Sequence, residues 1–289
     1  MTQGEPGSAE SVRIDSEYNP ELRVGSRVPF LEWYVRRSAL ARATLDCVLG
    51  VPFGSTPSET LDVFPSKTPG SPVLTFIHGG YWRALSSEEF SFVARGFVPR
   101  GVTVVVTNYA LCPQVSIAEI TRQSRAAVSW LRRHVREFNG DPAKLYVAGH
   151  SAGGQQVGML LSTDWSTGPG MARNPVRGGI AISGIFDIRP LQQSWLQPTL
   201  RLSDRLATEQ SPLLLIPKRA PPLLTTVGGG ESVALLEQSR RYDEAWRAAG
   251  LEAAHFPQPG LNHYEAVYGL DDPASPLAQA MAEFIERHG

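Results

Sequence analysis

From residue 60 onward, short continuous apolar runs alternate with longer segments of helical periodicity. The runs Val73–Ile77, Val102–Asn108, Leu145–Ala148, Gly179–Ser183, Leu223–Val227 and a short Ala254–Phe256 predict strands. Most are apolar throughout, the pattern of strands covered on both faces. Between them, Ser86-Ser87-Glu88-Glu89 has capping-box spacing ahead of Phe90 and Phe92, and Ser116-Ile117-Ala118-Glu119 repeats it ahead of a long amphipathic segment. There Ile120, Ala127, Val128, Leu131 and Val135 share one face, Arg122, Arg132, Arg133 and Arg136 lie largely elsewhere, and Gly140 supplies a stop. Val233 to Ala249 and Leu277 to Arg287 are also predicted helical. This alternation predicts an α/β protein with a mostly parallel central sheet flanked by helices.

Upstream, Phe30 to Leu45 reads as a helix with Trp33, Tyr34 and Leu40 available for one face. Cys47–Val51 and Thr60–Phe64 are short strand candidates that can form an edge hairpin. Residues 1–16, rich in Gly, Ser, Glu and Pro, are expected to be disordered. Residues 17–289 then form a single domain. Residues 187–221 break the alternation, with Pro190, Pro198, Pro212 and Pro217 around Trp195. They read as a small lid inserted over the site, and no internal repeat is evident.

A chain of 289 residues, 42% hydrophobic, can bury one large core. Lys and Arg number 27 against 28 Asp and Glu, so no basic surplus points to a nucleic-acid or membrane partner. Cys47 and Cys112 have neither metal-ligand spacing nor a disulfide framework, and are expected to be reduced thiols of a cytoplasmic protein. Met1 to Arg13 lacks the apolar core of a signal peptide, and no apolar stretch is long enough to cross a bilayer. The sequence leaves the oligomeric state open, a homodimer included.

Chemistry enters with Gly149-His150-Ser151-Ala152-Gly153, which follows the apolar run Leu145–Ala148 and precedes a small-residue segment able to open a helix. A G-x-S-x-G segment between strand and helix presents its serine on a turn too tight for flanking side chains. A second motif, His78-Gly79-Gly80-Tyr81-Trp82, follows Val73–Ile77. Acyl transfer puts a full charge on the carbonyl oxygen, and the N–H groups of Gly79, Gly80 and Ala152 are the expected donors to it.

A serine nucleophile needs a base, and the base an orienting carboxylate. In this architecture the order is serine, acid, histidine. Of His255, His263 and His288, which follow Ser151, only His263 falls in a loop after a strand. His255 lies within a strand and His288 is expected to be solvated. Glu231, after the Gly228-Gly229-Gly230 turn, is the favoured acid, and Asp187 the alternative. Tyr81, Trp82, Trp195 and Tyr264 occupy site-bearing loops and are candidates for the pocket wall. His78 and His150 are assigned to scaffolding, His134 to the surface. No metal and no cofactor are expected.

Several segments together resemble the kynurenine formamidase (arylformamidase) branch of the α/β-hydrolases, close to the hormone-sensitive-lipase-like esterases. They are the two motifs above with Gly154, Ser183-Gly184-Ile185-Phe186-Asp187, Asn262-His263-Tyr264, Glu17-Tyr18-Asn19-Pro20 and Asn108-Tyr109-Ala110-Leu111-Cys112-Pro113. The resemblance implies an α/β-hydrolase fold in which Ser151 is nucleophile and His263 base. It implies Glu231 as acid, because Val227–Ser232 and Glu237-Gln238-Ser239 match the family's acid-bearing segment. There the family commonly has aspartate, which keeps Asp187 as the alternative. Gln155-Gln156 is a second departure, standing where relatives commonly have Ala-His or Gly-His. The expected activity is hydrolysis of a small ester or amide through an acyl-enzyme, an aryl formamide such as N-formylkynurenine among them. The alternatives are a general short-chain carboxylesterase, a biosynthetic acyltransferase, or a ligand-binding protein that kept the fold without turnover.

Overall fold

The computed structural model describes residues 8–167 and 174–289. Eight strands form one sheet: β1 (Val48–Pro52), β2 (Thr60–Phe64), β3 (Ser71–Ile77), β4 (Thr103–Thr107), β5 (Gly140–His150), β6 (Val176–Ile182), β7 (Leu223–Gly228) and β8 (Ala253–Gln258). Their order is β1-β2-β4-β3-β5-β6-β7-β8. β1 and β2 form the expected antiparallel edge hairpin, and β2 runs antiparallel to β4. Every other pairing is parallel.

The helices are α1 (Ala9–Tyr18), α2 (Glu21–Val24), α3 (Val28–Thr44), α4 (Ala94–Phe97), α5 (Ile117–His134), α6 (Ala152–Leu161), α7 (Gln197–Leu200), α8 (Asp204–Glu209), α9 (Val233–Ala248) and α10 (Pro276–Arg287). The continuous apolar strands have the reason expected of them. Alternate residues of a strand serve opposite faces. Leu74, Phe76, Tyr146 and Ala148 pack with Phe90, Phe92, Phe97 and Met281. Ile77 and Val147 pack on the other side with α6 and the 187–221 segment. The capping box at Ser86 and Glu89 forms as read, though it opens a 3-10 turn, Ser87–Val93, that leads into α4. Ser116 caps α5 through the Glu119 N–H. Among the described residues no helix is long and apolar enough to cross a membrane.

Two expectations are corrected. Residues 1–7 lie outside the described residues, but disorder does not extend to residue 16. Ser8 caps α1, and Ile14, 3% exposed, packs into the core together with Tyr18. Composition hid this pair, because Ile14 and Tyr18 are single apolar residues one helical turn apart in a polar stretch. The arm is further held by Asp15 Oδ1 accepting the Trp195 N–H (2.8 Å) and Glu17 Oε2 accepting the Ala234 N–H (2.9 Å). In α3, Leu40 is 37% exposed. The buried stripe is Tyr34, Ser38 and Ala41, whose spacing leaves residue 40 on the far side. The Ser38 hydroxyl on that stripe accepts the Phe92 N–H (3.2 Å), so a polar residue holds a core position.

Residues 187–221 form 3-10 turns at Arg189–Gln193 and Pro212–Leu214 around α7 and α8. Leu191, Leu196, Leu200 and Ala207 are buried in the core shared with α6.

Candidate active site

β5 ends at His150 and α6 begins at Ala152, so Ser151 alone makes the turn, with φ 56° and ψ −116°. A non-glycine residue there is strained and persists only where its surroundings over-determine it. The Ser151 N–H donates to the Ile182 carbonyl (2.9 Å), and its carbonyl accepts the Gln155 N–H (3.1 Å). At Gly153 a Cβ would lie 2.0 Å from the Ile77 carbonyl oxygen, so α6 can start this close to β3 only with glycine.

Ser151 Oγ lies 3.0 Å from His263 Nε2, and His263 Nδ1 lies 2.6 Å from Glu231 Oε2. Glu231 Oε1 accepts the Ser183 hydroxyl (2.5 Å) and the Gly228 N–H (2.8 Å). The glycine turn after β7 therefore both carries Glu231 and fixes its rotation. His263 is presented by an Asx turn in which Asn262 Oδ1 accepts the N–H groups of Tyr264 and Glu265. His150 Nε2 donates to the His263 carbonyl (2.9 Å). Burial, then the neighbouring His263, hold His150 well below the ordinary histidine range, so it stays a neutral donor. His150 thus ties the elbow to the histidine loop.

Asp187 is elsewhere. It forms a fork with Arg189 Nε (2.9 Å) and Nη2 (2.8 Å), and Arg241 lies 3.9 Å away. Burial raises its pKa, but the Arg189 contacts outweigh this and the net direction is down. Of the two candidate acids, Glu231 is the one beside His263. His255 lies in β8 with Nδ1 3.0 Å from Thr225 Oγ1. His134 bonds Glu137 on an outer turn. His288, expected to be solvated, is only 14% exposed, because it packs on Phe284 and reaches Glu252 at 3.5 Å.

The His78–Trp82 loop lies against the elbow. A Cβ on Gly79 would come within 3.2 Å of Ser151 Cβ. Gly80, at φ 111°, turns its carbonyl back to accept the N–H groups of Arg83 and Ala84. Among the described residues, the N–H groups of Gly79 and Gly80 do not enter the turn and loop network. The Ala152 N–H is the first of α6, where no intrahelical acceptor exists. His78 is wholly buried, donates Nδ1–H to the Gly79 carbonyl (2.7 Å) and stacks on Tyr109 at 4.1 Å. Burial pulls its pKa down to about 4. The Tyr109 hydroxyl donates to the His78 carbonyl (2.9 Å), which fixes the loop from below.

Ser151 and His263 open on a cavity of about 210 Å³. Tyr81, Trp195 and Tyr264 line it as expected. Trp82 does not. It is fully buried, and its indole N–H donates to Gln155 Oε1 (3.1 Å). Tyr81 and Trp82 lie in a tight turn, both at positive φ (52° and 56°), which sends Tyr81 to the cavity and Trp82 into the core. Gln155 Nε2 in turn donates to the Gln210 carbonyl (2.8 Å), and Gln156 donates to Gln155 Oε1 (2.8 Å). The Gln155-Gln156 departure is therefore a buried polar joint between elbow helix, glycine loop and the 187–221 segment. It lies outside the cavity wall.

Sequence reasoning missed the rest of that wall. Arg83 follows the second motif directly, and Asn19, Glu21, Arg27 and Leu31 come from the N-terminal arm and α3. The Glu17–Pro20 segment was the available signal, since it shares in the family resemblance without belonging to the hydrolase core.

A BD-FAE family model matches residues 61–166, from β2 past α6, and so spans both glycine motifs. The kynurenine formamidase of Salmo salar is 30% identical over 254 residues, covering 85% of this chain and 84% of the relative. That of Danio rerio is 28% identical over 252 residues, with the same coverage. Among solved structures, a Silicibacter protein provisionally described as a thioesterase superposes with a TM-score of 0.82 at 27% identity. It covers 93% of this chain and 98% of its own. Identity at that level along nearly the whole length, on a fold carrying serine, acid and histidine in the expected order, means that this chain is a hydrolase of the kynurenine formamidase family of α/β-hydrolases.

Proposed function

We propose that Ser151 is the nucleophile, His263 its general base and Glu231 the acid that orients the base. The observation that carries this is the continuous hydrogen-bond chain from Ser151 Oγ through both nitrogens of His263 to Glu231, at the edge of an aromatic-walled cavity. Ser151 Oγ attacks the carbonyl carbon as His263 Nε2 takes its proton. The N–H groups of Gly79, Gly80 and Ala152 hold the oxyanion. Collapse expels the leaving group with the proton from His263 and leaves an acyl-serine. Water, deprotonated by His263, then releases the acid and frees Ser151.

The substrate class is a small ester or amide, and an aryl formamide such as N-formylkynurenine fits best. A cavity of about 210 Å³ lies below the roughly 300–1,000 Å³ usual for ligand pockets, which favours a short acyl group. Tyr81, Trp195 and Tyr264 give an aromatic leaving group faces and edges to pack on. Residues 187–221, which bring Trp195 to the cavity, act as a lid fixed to the core. A reducing, cytoplasmic setting suits the two free cysteines, of which Cys112 is buried with its thiol pushed up to about 11.

The test is steady-state hydrolysis of N-formylkynurenine and p-nitrophenyl acetate by wild type and Ser151→Ala in parallel. Formamide turnover that vanishes in the variant is the expected result. Ester turnover alone would discard the formamide and keep the triad, and turnover that survives in Ser151→Ala would discard the nucleophile.

A further inference from the structure

The cavity wall carries three formal charges besides the groups around Ser151: Glu21, Arg27 and Arg83. Glu21 is committed to Arg27, accepting its backbone N–H (3.4 Å) with Oε2 3.7 Å from its Nε. Arg83 is different. Among the described residues its guanidinium has no carboxylate within salt-bridge distance and donates no hydrogen bond. What holds it is the Trp195 ring, 4.5 Å from Cζ to the centroid. Trp195 is itself fixed, edge-on to Tyr81 at 5.9 Å and tied to Asp15 through its backbone N–H.

A guanidinium stacked by one face keeps its N–H edge free in a set plane, the geometry that grips a carboxylate with two parallel bonds. Arg83 is half-buried, so its five donors are partly withdrawn from water. Burial, and after it the like charge of Arg27, both lower its pKa. Two cations and one carboxylate therefore line the concavity, and that carboxylate is paired with Arg27. An anion beside Arg83 would relieve both effects.

We propose that Arg83, oriented by Trp195, is a carboxylate-recognition residue of the cavity, and that the substrate bears a carboxylate beyond its scissile acyl group. This deepens the reading above and rests on the cavity at Ser151 being the substrate site. An aryl formamide derived from an amino acid carries such a group. Neutral aryl esters lack it and would be handled as poorer ligands.

The test is calorimetric binding of 3-benzoylpropionate and of 3-benzoylpropionamide, an aryl ketone pair that differs in one charge. The ratio of the two Kd values within each variant cancels general changes in the pocket. Wild type is expected to favour the carboxylate by about tenfold, the scale of about 1.4 kcal/mol for one charge-assisted contact. Arg83→Gln should bring the ratio close to one, and Arg83→Lys should keep part of the preference. If the Gln variant does not fold, Arg83→Met, which keeps an apolar stem over Trp195, is read in the same way. A ratio near one in wild type, or a preference that survives Arg83→Gln, overturns the proposal. Because binding is measured, absent formamide turnover would strike the substrate reading alone.

Discussion

Replacing Glu231 by glutamine is the sharpest probe of the site, because the surroundings dictate how the new amide must turn. Glu231 Oε1 faces the Gly228 N–H at 2.8 Å, a backbone donor that cannot become an acceptor. Turning the NH2 group toward it would set donor against donor in a buried place, at about 1–3 kcal/mol. The amide oxygen must therefore stay on the Gly228 side, and the NH2 group faces His263 Nδ1 across the present 2.6 Å contact. Nδ1 then has to accept, the ring proton moves to Nε2, and Nε2 can no longer take the proton of Ser151. Restoring the working tautomer costs at least about 1 kcal/mol. Losing the carboxylate charge beside the imidazolium costs about 4 kcal/mol more at an effective dielectric near 20. Together that is about 5 kcal/mol, or about 10⁴-fold in kcat, the size seen when a serine triad is left in the wrong tautomer. The assay is steady-state hydrolysis of p-nitrophenyl acetate, with Asp187→Asn alongside. The Asp187 change breaks the Arg189 fork and should cost activity far less. Glu231→Gln within about tenfold of wild type, against the expected 10⁴, refutes the reasoning, as does an Asp187→Asn that is the slower of the two.

Gln155→Leu leaves the Trp82 indole N–H, the Gln156 side-chain amide and the Gln210 carbonyl without these partners in the core. Urea unfolding should show a loss of at least about 3 kcal/mol, from three buried groups at about 1–3 kcal/mol each. Stability should also fall in mild acid. With its folded pKa held at about 4, His78 stays neutral where an unfolded histidine, at 6.5, takes a proton. The unfolded state then binds more protons between those two values, so stability is full above the upper one and drains as pH falls through the window. The drain is about 1.4 kcal/mol per pH unit from this group, with His150 adding in the same direction. Unfolding midpoints at a series of pH values should fall this way, and His78→Asn should flatten the slope. Ile14→Asp puts a charge in the arm's anchoring position, so α1 should undock. Limited proteolysis would then cut the arm early, and kcat/KM should drop through KM, because Asn19, Glu21 and Arg27 leave the cavity wall together.

The strands and the main helices were legible because their signals are local. Val104–Val106 in β4 is apolar at every position since both faces of the sheet are covered, and that appears as an unbroken run. The elbow and the glycine loop were legible for a related reason. Ser151 at φ 56° and Gly153 against the Ile77 carbonyl are steric demands that particular residues at fixed spacing must meet. His263 was reached by order and loop position, and Glu231 by the glycine turn before it.

What the sequence left open depended on which distant surfaces meet. Glu231 and Asp187 both follow a sheet strand, and only the folded chain shows one beside His263 and the other held by Arg189. Tyr81 and Trp82 are adjacent aromatics with the same local signal, and the packing of α6 decides that Trp82 turns to Gln155 while Tyr81 faces the cavity. α1 looked unstructured because its two apolar residues gain nothing until Trp82, Leu191 and α9 supply a surface to bury them. Arg83 stands out as a candidate for recognition only in the folded chain, where an aromatic face holds it and, among the described residues, no carboxylate lies within salt-bridge distance. Local periodicity and turn sterics act over a few residues and are therefore written in the sequence. Burial, pairing and the sharing of charge are properties of surfaces brought together from far along the chain, and they take values only once the chain has closed on itself.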